Sequence, residues 1–467
     1  MNNTILAIDI GSTKICAIIA QKVDGERLQI LGHGISKSQG VKKGSITNIE
    51  LASKAIKKAI TDAKRISGNS IESATISISD AYAKSLNSTG IVNIPHKDIS
   101  IKEIGRVMQT ALYNANIPNE YDIIHVLPYN FKVDDQEFIE DPFGMNASRL
   151  EVNVNIIMTQ KSNLANLKKA VKSAGVEIDG IVLNGYASSI ATMEEDDKEL
   201  GVAVIDLGGQ TSSLVVHIGN SIRYNDFFGV GSNNVTNDLS IALHTPLQVA
   251  ENIKLRHGNL VDTSSEKVEL PIIGNDEHHN EVSLEVVHNV VFARTEETLM
   301  ILVKMLEKSA LKEQIGAGVI LTGGMTKLKG TRELAQVVFS GLPIRISSPN
   351  IDHIDGVFDE LKSPAYSTVI GLLLYKAGSH TEYEINFDQE LLHSKSTEEK
   401  DLHDIKIDAT INEVTESRQQ RKLANKNMEP QVVAENINKG EIFKLPKLPK
   451  EENSYLSKLY NWAKQLF

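Results

Sequence analysis

The chain has 467 residues, which at about 100 to 200 residues per domain predicts two to four compact units. Apolar residues make up 41% and there are 31 glycines, the ordinary composition of a globular protein with a buried core. A net charge of −11 argues against a protein that coats nucleic acid, and one cysteine excludes an internal disulfide and a cysteine zinc site.

No secretory signal or membrane-spanning segment is predicted. The N-terminus lacks a basic start, Asp9 interrupts the first apolar stretch, and no run approaches about 18 consecutive apolar residues. Up to about residue 380, short β-branched runs alternate with longer segments of helical period. This alternation predicts an α/β fold.

The first predicted element is a β-hairpin over residues 5–19, in which a buried strand ends near Asp9 and a glycine turn follows. Successive backbone N–H groups in such a turn can converge on an anion, and glycine lets the anion approach closely. We therefore expect phosphate contacts from the turn residues Gly11, Ser12, Thr13 and Lys14.

The same pattern recurs over residues 202–216, with Asp206 at the end of the strand. The repeat predicts a duplicated domain whose halves face each other across a cleft. Carboxylates beside phosphates imply a hard cation, so Asp9 and Asp206 are candidate Mg²⁺ ligands. The second phosphate turn comprises Gly208, Gly209, Gln210 and Thr211. Gln210 either orders a water or closes the turn.

A third glycine cluster, Gly323 and Gly324 followed by Met325, ends another apolar run and suits the base and ribose end of a nucleotide. Each glycine turn taken singly is more often plain hairpin geometry. Three in this order are more specific. The P-loop and dinucleotide-binding glycine motifs are absent from the sequence, so those folds lose support.

Composition changes sharply beyond residue 380. Between Lys395 and Ser454 the one aromatic residue is Phe443 and the one glycine is Gly440. Such a segment buries too little apolar surface to offset its ordering entropy, so we predict a solvated, disordered linker. The alternative is a long charged surface helix, since residues 416–427 include good helix formers.

The last 14 residues form an amphipathic pattern when written as a helix, with lysines near the polar flank. This pattern predicts a helix lying on anionic lipid, and the alternative is a helix that folds back onto the body. The candidate membrane-binding residues are Leu456, Leu459, Trp462, Ala463, Leu466 and Phe467.

In their order, the three motifs resemble the phosphate 1, phosphate 2 and adenosine motifs of the actin, Hsp70 and sugar-kinase superfamily. Within it the whole chain resembles the FtsA family of bacterial cell-division proteins. The matching stretches are 141–145, 149–152, 229–238, 250–254 and 293–297.

This resemblance implies an actin-like fold: duplicated ribonuclease-H-like domains around a nucleotide cleft. The implied subdomains are 1A (1–83 and 162–195), an SHS2-like insertion 1C (84–161), 2A (196–230 and 309–380) and 2B (231–308), then a linker (381–453) and the amphipathic helix (454–467). It further implies adenosine contacts from Gly231, Glu251, Lys254, Gly323, Gly324 and Met325.

The function implied by the resemblance is ATP- and Mg²⁺-dependent polymerisation on the inner face of the cytoplasmic membrane at the division septum. There the chain would tether FtsZ filaments and recruit later division proteins through 1C, with no nucleic-acid partner. Arg294 and Glu297 are implied contacts of the FtsZ C-terminal peptide, although their i, i+3 spacing fits a plain solvated helix pair equally well. No clear general base is visible, so ATP hydrolysis is expected to be slow or absent.

Two alternatives remain open from the sequence. A phosphotransferase of the sugar or acetate kinase type could use the same fold, but it needs an acceptor pocket and a carboxylate base and leaves the C-terminal pattern unexplained. An actin-like adaptor of a pilus or secretion machine differs mainly in its partner.

Overall fold

The computed structural model describes residues 4–23, 27–69, 71–79, 81, 83–219, 221–262, 264–272 and 275–393. The predicted linker from residue 394 onward and the predicted helix at 454–467 lie outside the described residues.

The described residues form strands and helices that alternate along the chain. The strands are β1 (Thr4–Ile10), β2 (Lys14–Lys22), β3 (Leu28–Lys37), β4 (Val41–Lys42), β5 (Ser45–Ile46), β6 (Ser73–Ile78), β7 (Ala83–Asn93), β8 (Tyr121–Val133), β9 (Gln136–Ile139), β10 (Arg149–Gln160), β11 (Glu177–Leu183), β12 (Val202–Leu207), β13 (Ser212–Ile218), β14 (Ser221–Phe228), β15 (Lys267–Ile272), β16 (Asn275–Ser283), β17 (Val319–Thr322), β18 (Ile344–Ile346) and β19 (Ile354–Asp355). The α-helices are α1 (Ile49–Ser67), α2 (Ile101–Asn114), α3 (Lys161–Ser173), α4 (Asn184–Thr192), α5 (Glu195–Leu200), α6 (Ser232–Ala242), α7 (Leu247–His257), α8 (Leu284–Lys308), α9 (Thr331–Val338) and α10 (Ser367–Ala377).

The two large sheets share the topology of five strands, and β19 adds a sixth strand beside β3 in the first sheet. Their strand orders are β11-β6-β1-β2-β3-β19 and β14-β13-β12-β17-β18. In each, an antiparallel three-stranded meander (β1-β2-β3 or β12-β13-β14) is extended beside its first strand by two parallel strands. This repeat confirms the duplicated α/β fold predicted from the two acidic hairpins.

The central strands are buried on both faces. Leu6, Ala7 and Ile8 point alternately to opposite sides of β1, and all three are inaccessible or nearly so. Helices α1 and α10 both pack on this sheet. Such coverage explains why β1 and β2 read as continuous apolar runs rather than alternating ones.

Helices α4 and α10 pack against each other and link the two halves. Helix α4 follows the last parallel strand of the first sheet and contacts β12 and β13 of the second, whereas α10 contacts β1 and β6 of the first. Gly371 lies so close to α4 that an added Cβ would be 1.7 Å from the carbonyl oxygen of Ala187. The close packing of α4 on α10 therefore depends on a glycine at position 371.

A separate lobe is inserted between β6 and α3. Its antiparallel sheet has the order β7-β10-β8-β9, and α2 packs on β7 and β10. Helix α2 begins at a capping box in which the Glu103 side chain accepts from the backbone N–H of Ser100. The lobe runs from β7 to β10, close to the insertion at 84–161 that the resemblance implies.

A second insertion lies between β14 and β17. Helices α6, α7 and α8 pack against one another, and the β15-β16 hairpin leads directly into α8. Helix α8 begins at Ser283, whose side chain accepts from the N–H of Glu285.

Residues 381–393, which we call the strap, pack against the inserted lobe. Ile385 exchanges two backbone hydrogen bonds with Val126 of β8, and Tyr383 and Ile385 are almost completely buried. The sequence places the start of the linker at 381, whereas the folded body extends to 393. The composition argument missed this segment because its polar residues also find buried partners.

The helix crossing yields a stability prediction. Gly371→Ala should destabilise the fold by several kcal/mol, because the methyl group meets backbone rather than a movable side chain. Gly105→Ala in α2 is the matched control, since its nearest neighbour would be Leu391 at 3.9 Å and alanine favours helix by roughly 0.5–1 kcal/mol. Urea unfolding would measure both, and equal stabilities would contradict the tight crossing.

Candidate functional site

The turns of the two acidic hairpins contact each other. One turn connects β1 to β2 and the other connects β12 to β13. Thr13 and Gly209 are so close that a Cβ at position 209 would lie 1.7 Å from Thr13 Oγ1. The two predicted phosphate turns therefore face each other across one cleft.

Asp9 and Asp206 lie just before these turns, Asp9 buried and Asp206 partly buried, and they are close enough for the charge of Asp206 to act on Asp9. The Ser77 hydroxyl donates to Asp9 Oδ1 at 3.0 Å. The hydroxyls of Ser188 on α4 and Thr368 on α10 donate to Asp206 Oδ2 at 2.6 and 3.3 Å. Both carboxyl groups are thus fixed by hydroxyl donors from neighbouring strands or helices.

Burial shifts the proton affinity of both carboxyl groups. Desolvation raises the pKa of Asp9 to about 6, opposed by Lys14 and the Ser77 hydrogen bond and increased further by the negative charge of Asp206. Desolvation also raises the pKa of Asp206, opposed by its hydroxyl donors and Lys14. Because the two charges act on each other, a cation between them would be favourable.

Lys14 extends from the first turn toward the loop before α10. Its ammonium group donates to the carbonyl of Ala365 and lies 3.7 Å from the ring centroid of Tyr366. Burial lowers the pKa of Lys14, and the charges of Asp9 and Asp206 oppose that shift. Lys14 is therefore electrostatically linked to both carboxylates.

Two residues that the sequence did not single out, Lys43 and Gly44, join the two turns. The Gly44 N–H donates to Ser12 Oγ and the Lys43 N–H donates to Gln210 Oε1, both at 2.8 Å. Gln210 thus bonds across the cleft, while the carbonyl of Thr211 accepts from the N–H of Gly208 within the second turn. The signal in the sequence was a short turn, Val41 to Ile46, with two lysines before a glycine.

The third glycine cluster and α6 border the second turn. A Cβ at Gly323 would lie 2.3 Å from Asp206 Oδ1, and Met325 is buried beside the more exposed Gly324. Gly231 precedes α6, whose first two N–H groups donate to the carbonyls of Gly208 and Gly209. The structure therefore brings these predicted adenosine residues next to the phosphate turn.

Glu251 and Lys254 form an ion pair on α7 at 2.7 Å. The Lys254 ammonium group also donates to Thr236 Oγ1 at 2.8 Å and to the carbonyl of Ser232 at 3.2 Å. The two residues thus hold the start of α6, and Glu251 keeps about a third of its side chain exposed.

The donor set suits magnesium better than a protein-enclosed metal. Within the described ranges, no group of three or more His, Cys, Asp or Glu side chains is placed to hold an ion. Mg²⁺ is commonly bound by one or two carboxylates together with phosphate oxygens and water. Asp9 and Asp206 fit that role beside the two predicted phosphate turns.

Arg294 and Glu297 lie on α8, away from the turns in sequence. Arg294 donates to Asp238 of α6 and to Glu297, each at 2.5 Å. The hydrogen bond to Asp238 is the main reason that the pKa of Arg294 is raised. The predicted pair is therefore part of a three-residue ion cluster, and Asp238 is the member that the sequence did not reveal.

The candidate membrane-binding residues at 456–467 lie outside the described residues. Among those that are described, no helix has the length and apolar character needed to cross a bilayer.

The buried carboxyl of Asp9 gives a pH-dependent prediction. Its folded pKa of about 6 exceeds the unfolded value of 3.8, so the stability supplied by its proton is complete below about 3.8 and lost as pH rises through 6. At pH 7.5 the ionised group costs on the order of 2–3 kcal/mol. Asp9→Asn should therefore raise the thermal midpoint by a few degrees at pH 7.5, and by less at pH 4.5.

Asp359→Asn is the control for this measurement. Asp359 is exposed and paired with Lys362, which lowers its pKa, so its replacement should not raise the midpoint. A midpoint for Asp9→Asn equal to that of the parent at pH 7.5 would contradict the cost assigned to the buried charge.

Comparison with known proteins identifies the family. The profile of the family described as "Cell division protein FtsA" matches residues 203–371, and that of the "SHS2 domain inserted in FTSA" matches residues 81–158. The second match covers the inserted lobe almost exactly from β7 to β10.

A sequence relative supports the family assignment, and two solved structures share the fold. The cell division protein FtsA of Helicobacter pylori strain J99 is 41% identical over 411 residues, covering 81% of this chain and 83% of that protein. The PilM-PilN type IV pilus biogenesis complex aligns with a TM-score of 0.57 at 15% identity, covering 80% of this chain and 98% of that one. MreB5 of Spiroplasma citri bound to ADP aligns with a TM-score of 0.50 at 13% identity, covering 79% and 95%.

At these identities the two structures show only a shared fold, which is actin-like, whereas the sequence relative and the family profiles are specific. The sequence relative and the family profiles favour a cell-division protein over the phosphotransferase and pilus-adaptor alternatives, which the fold alone had left open. The chain belongs to the FtsA family of bacterial cell division proteins, with an actin-like fold and an inserted SHS2 domain.

Proposed function

We propose that the chain is a nucleotide-gated scaffold that binds ATP with Mg²⁺ between its two halves. The observation that carries this proposal is the contact of the two acidic turns beside the buried Asp9 carboxylate and the partly buried Asp206 carboxylate. In the proposal the phosphates lie between the two turns and Mg²⁺ is held by Asp9 and Asp206. The adenosine lies against Gly231, Glu251, Lys254, Gly323, Gly324 and Met325.

Nucleotide binding should favour one arrangement of the halves. A triphosphate that contacts both turns stabilises the closed cleft, because its contacts are complete only there. A closed molecule presents matching ends for head-to-tail assembly, which produces filaments when the rotation does not close a ring. Hydrolysis is at most slow in this proposal, since Gln210 is already bonded to the Lys43 backbone and a clear base is not identified.

The C-terminal segment supplies the membrane contact in this proposal. A single helix with a few large apolar residues and lysines binds anionic lipid only moderately. Filaments that carry many such helices gain avidity, so assembly and attachment reinforce each other. The linker predicted from composition, roughly 60 residues after the strap, would reach on the order of 40 Å and so would keep the body close to the inner face of the cytoplasmic membrane at the septum.

Electron microscopy on anionic lipid monolayers tests the proposal. The full-length chain should form filaments with Mg²⁺-ATP and fewer or none without nucleotide, whereas a chain ending at Asn453 should leave the monolayer bare.

Trp462→Glu in the full chain should likewise release the protein from anionic vesicles, with Trp462→Phe as the matched control. Filaments that ignore nucleotide would contradict the gating, and unchanged vesicle co-sedimentation would contradict the anchor.

We further propose that the second insertion binds the C-terminal peptide of FtsZ at Arg294 and Glu297. The support is a partly exposed ion cluster on α8, with 28% of the Arg294 side chain and 50% of Glu297 accessible. A cluster that is already ordered by Asp238 would meet a charged peptide at reduced entropic cost. Other division proteins would contact the inserted lobe.

Arg294→Ala should weaken binding of an FtsZ C-terminal peptide by about tenfold, since removing a charged contact commonly costs ~1–2 kcal/mol. Fluorescence anisotropy with labelled peptide would measure the affinity, and Glu297→Ala should also change it. Arg256→Ala, an exposed arginine on α7, is the control for net charge. Unchanged affinity in both α8 variants would remove this assignment.

A further inference from the structure

The strap closes the edge of the inserted sheet and is held at the joint between that lobe and the first half. Its Ile385 donates to the carbonyl of Val126 at 3.1 Å and accepts from its N–H at 2.9 Å. Within the strap, the N–H of Tyr383 donates to the backbone carbonyl of Leu392, and the N–H of Leu392 donates to the backbone carbonyl of Glu384. The strap is thus a compact hairpin added to β8.

Glu384 is the strap residue that reaches deepest. Its carboxylate is completely buried and accepts from the hydroxyls of Tyr186 on α4 at 3.0 Å and Tyr375 on α10 at 2.8 Å. His125 of β8 lies 2.6 Å away through Nδ1. Because the N–H of Leu183 donates to His125 Nε2, the ring proton is assigned to Nδ1 and donates to Glu384.

Three structural parts therefore depend on one carboxylate. Burying a charge is costly unless hydrogen bonds compensate for it, and here the donors come from β8, α4 and α10. If the strap leaves, all three donors lose their acceptor together. The seating of the strap and the positions of the two helices are thus energetically linked.

The same two helices also hold Asp206 in the cleft. Ser188 lies two residues after Tyr186 on α4, and Thr368 lies two turns before Tyr375 on α10. Both hydroxyls donate to Asp206, and they are within 2.9 Å of each other. Because Gly371 packs directly on Ala187, neither helix can shift without the other.

We propose that Glu384 is a positioning residue for the nucleotide cleft, so that seating of the strap and binding of a nucleotide at Asp206 stabilise each other through α4 and α10. The inference rests on the proposed nucleotide binding. Coupling of this kind is reciprocal: whatever the nucleotide adds to strap seating, the seated strap adds to nucleotide affinity. The strap is also the last described segment before the predicted membrane-binding region, so the coupling would connect nucleotide state with the tether.

Hydrogen exchange on the full-length chain tests the coupling. Saturating Mg²⁺ with the non-hydrolysable ATP analogue AMPPNP should slow exchange of the strap amides of Tyr383, Ile385 and Leu392 at least threefold. The amide of Val152, inside the lobe sheet, should be unaffected. Unchanged or faster strap exchange, with nucleotide binding shown by calorimetry, would overturn the coupling alone. Absence of nucleotide binding in calorimetry would overturn the proposed function and the coupling with it.

Two variants that each remove one hydroxyl group test whether Glu384 positions the nucleotide cleft or whether the strap only covers the lobe. Tyr375→Phe removes a donor to Glu384 on the helix that carries Thr368. Tyr383→Phe removes a strap hydroxyl that instead donates to Asp141 of the lobe at 2.6 Å. We expect Tyr375→Phe to weaken nucleotide binding about three- to tenfold and to reduce the protection of the strap by nucleotide. Tyr383→Phe should leave the affinity within twofold, because the two backbone bonds between Ile385 and Val126 and all the hydrogen bonds of Glu384 remain to keep the strap seated.

Circular dichroism would verify that both variants fold. Equal nucleotide affinities in the two variants, whether both match the parent or both fall, would overturn the positioning role, because a strap that only covers the lobe predicts no difference between them. The double variant Ser188→Ala, Thr368→Val provides a second test, since it removes both hydroxyl donors to Asp206 and should abolish the effect of nucleotide on strap exchange even where nucleotide still binds. Persistence of that effect would also overturn the proposed route.

Discussion

The burial of two carboxylates in one cleft is the constraint on which the rest of the site depends. Asp9 and Asp206 each lie near the end of a strand that is covered on both faces. The charge of Asp206 makes ionisation of Asp9 less favourable, whereas the nearby Lys14 favours ionisation of both carboxyl groups. The fold compensates with hydroxyl donors at Ser77 and Ser188. This partial compensation leaves a site where a cation accompanied by phosphates would gain the most.

Helices α4 and α10 pack against each other and join the two repeated sheets, since α4 contacts the second sheet and α10 contacts the first. In many two-domain proteins such an interface is loose and polar. Here a glycine brings the helix backbones into contact, and hydroxyls from both helices meet at Asp206. We therefore expect a displacement of Asp206 to move α4 and α10 together. Packed helices have few alternative arrangements, so side-chain rearrangement alone would not accommodate the displacement.

Sequence rather than fold assigns this chain to its family. MreB5 and the PilM-PilN complex share the fold over 79–80% of the chain at 13–15% identity, whereas the FtsA and SHS2 profiles match residues 203–371 and 81–158. Function is carried by sites and surfaces on a common scaffold. The lobe closed by the strap and the ion cluster of Asp238, Arg294 and Glu297 are the surfaces to which we assign partners in our proposal.

The sequence by itself determined the features that depend on local pattern. The strand-turn-strand repeats around Asp9 and Asp206, the glycine cluster at Gly323 and the α/β alternation follow from periodicity and turn chemistry over a few residues. Tertiary structure alone decided the contacts that join distant parts of the chain. Gln210 bonds to Lys43, and Glu384 meets His125 across 259 positions, because folding brings their elements together and nothing in the local pattern specifies the partner. The strap escaped prediction for the same reason: a polar segment looks solvated in sequence until the fold provides buried donors for its carboxylate.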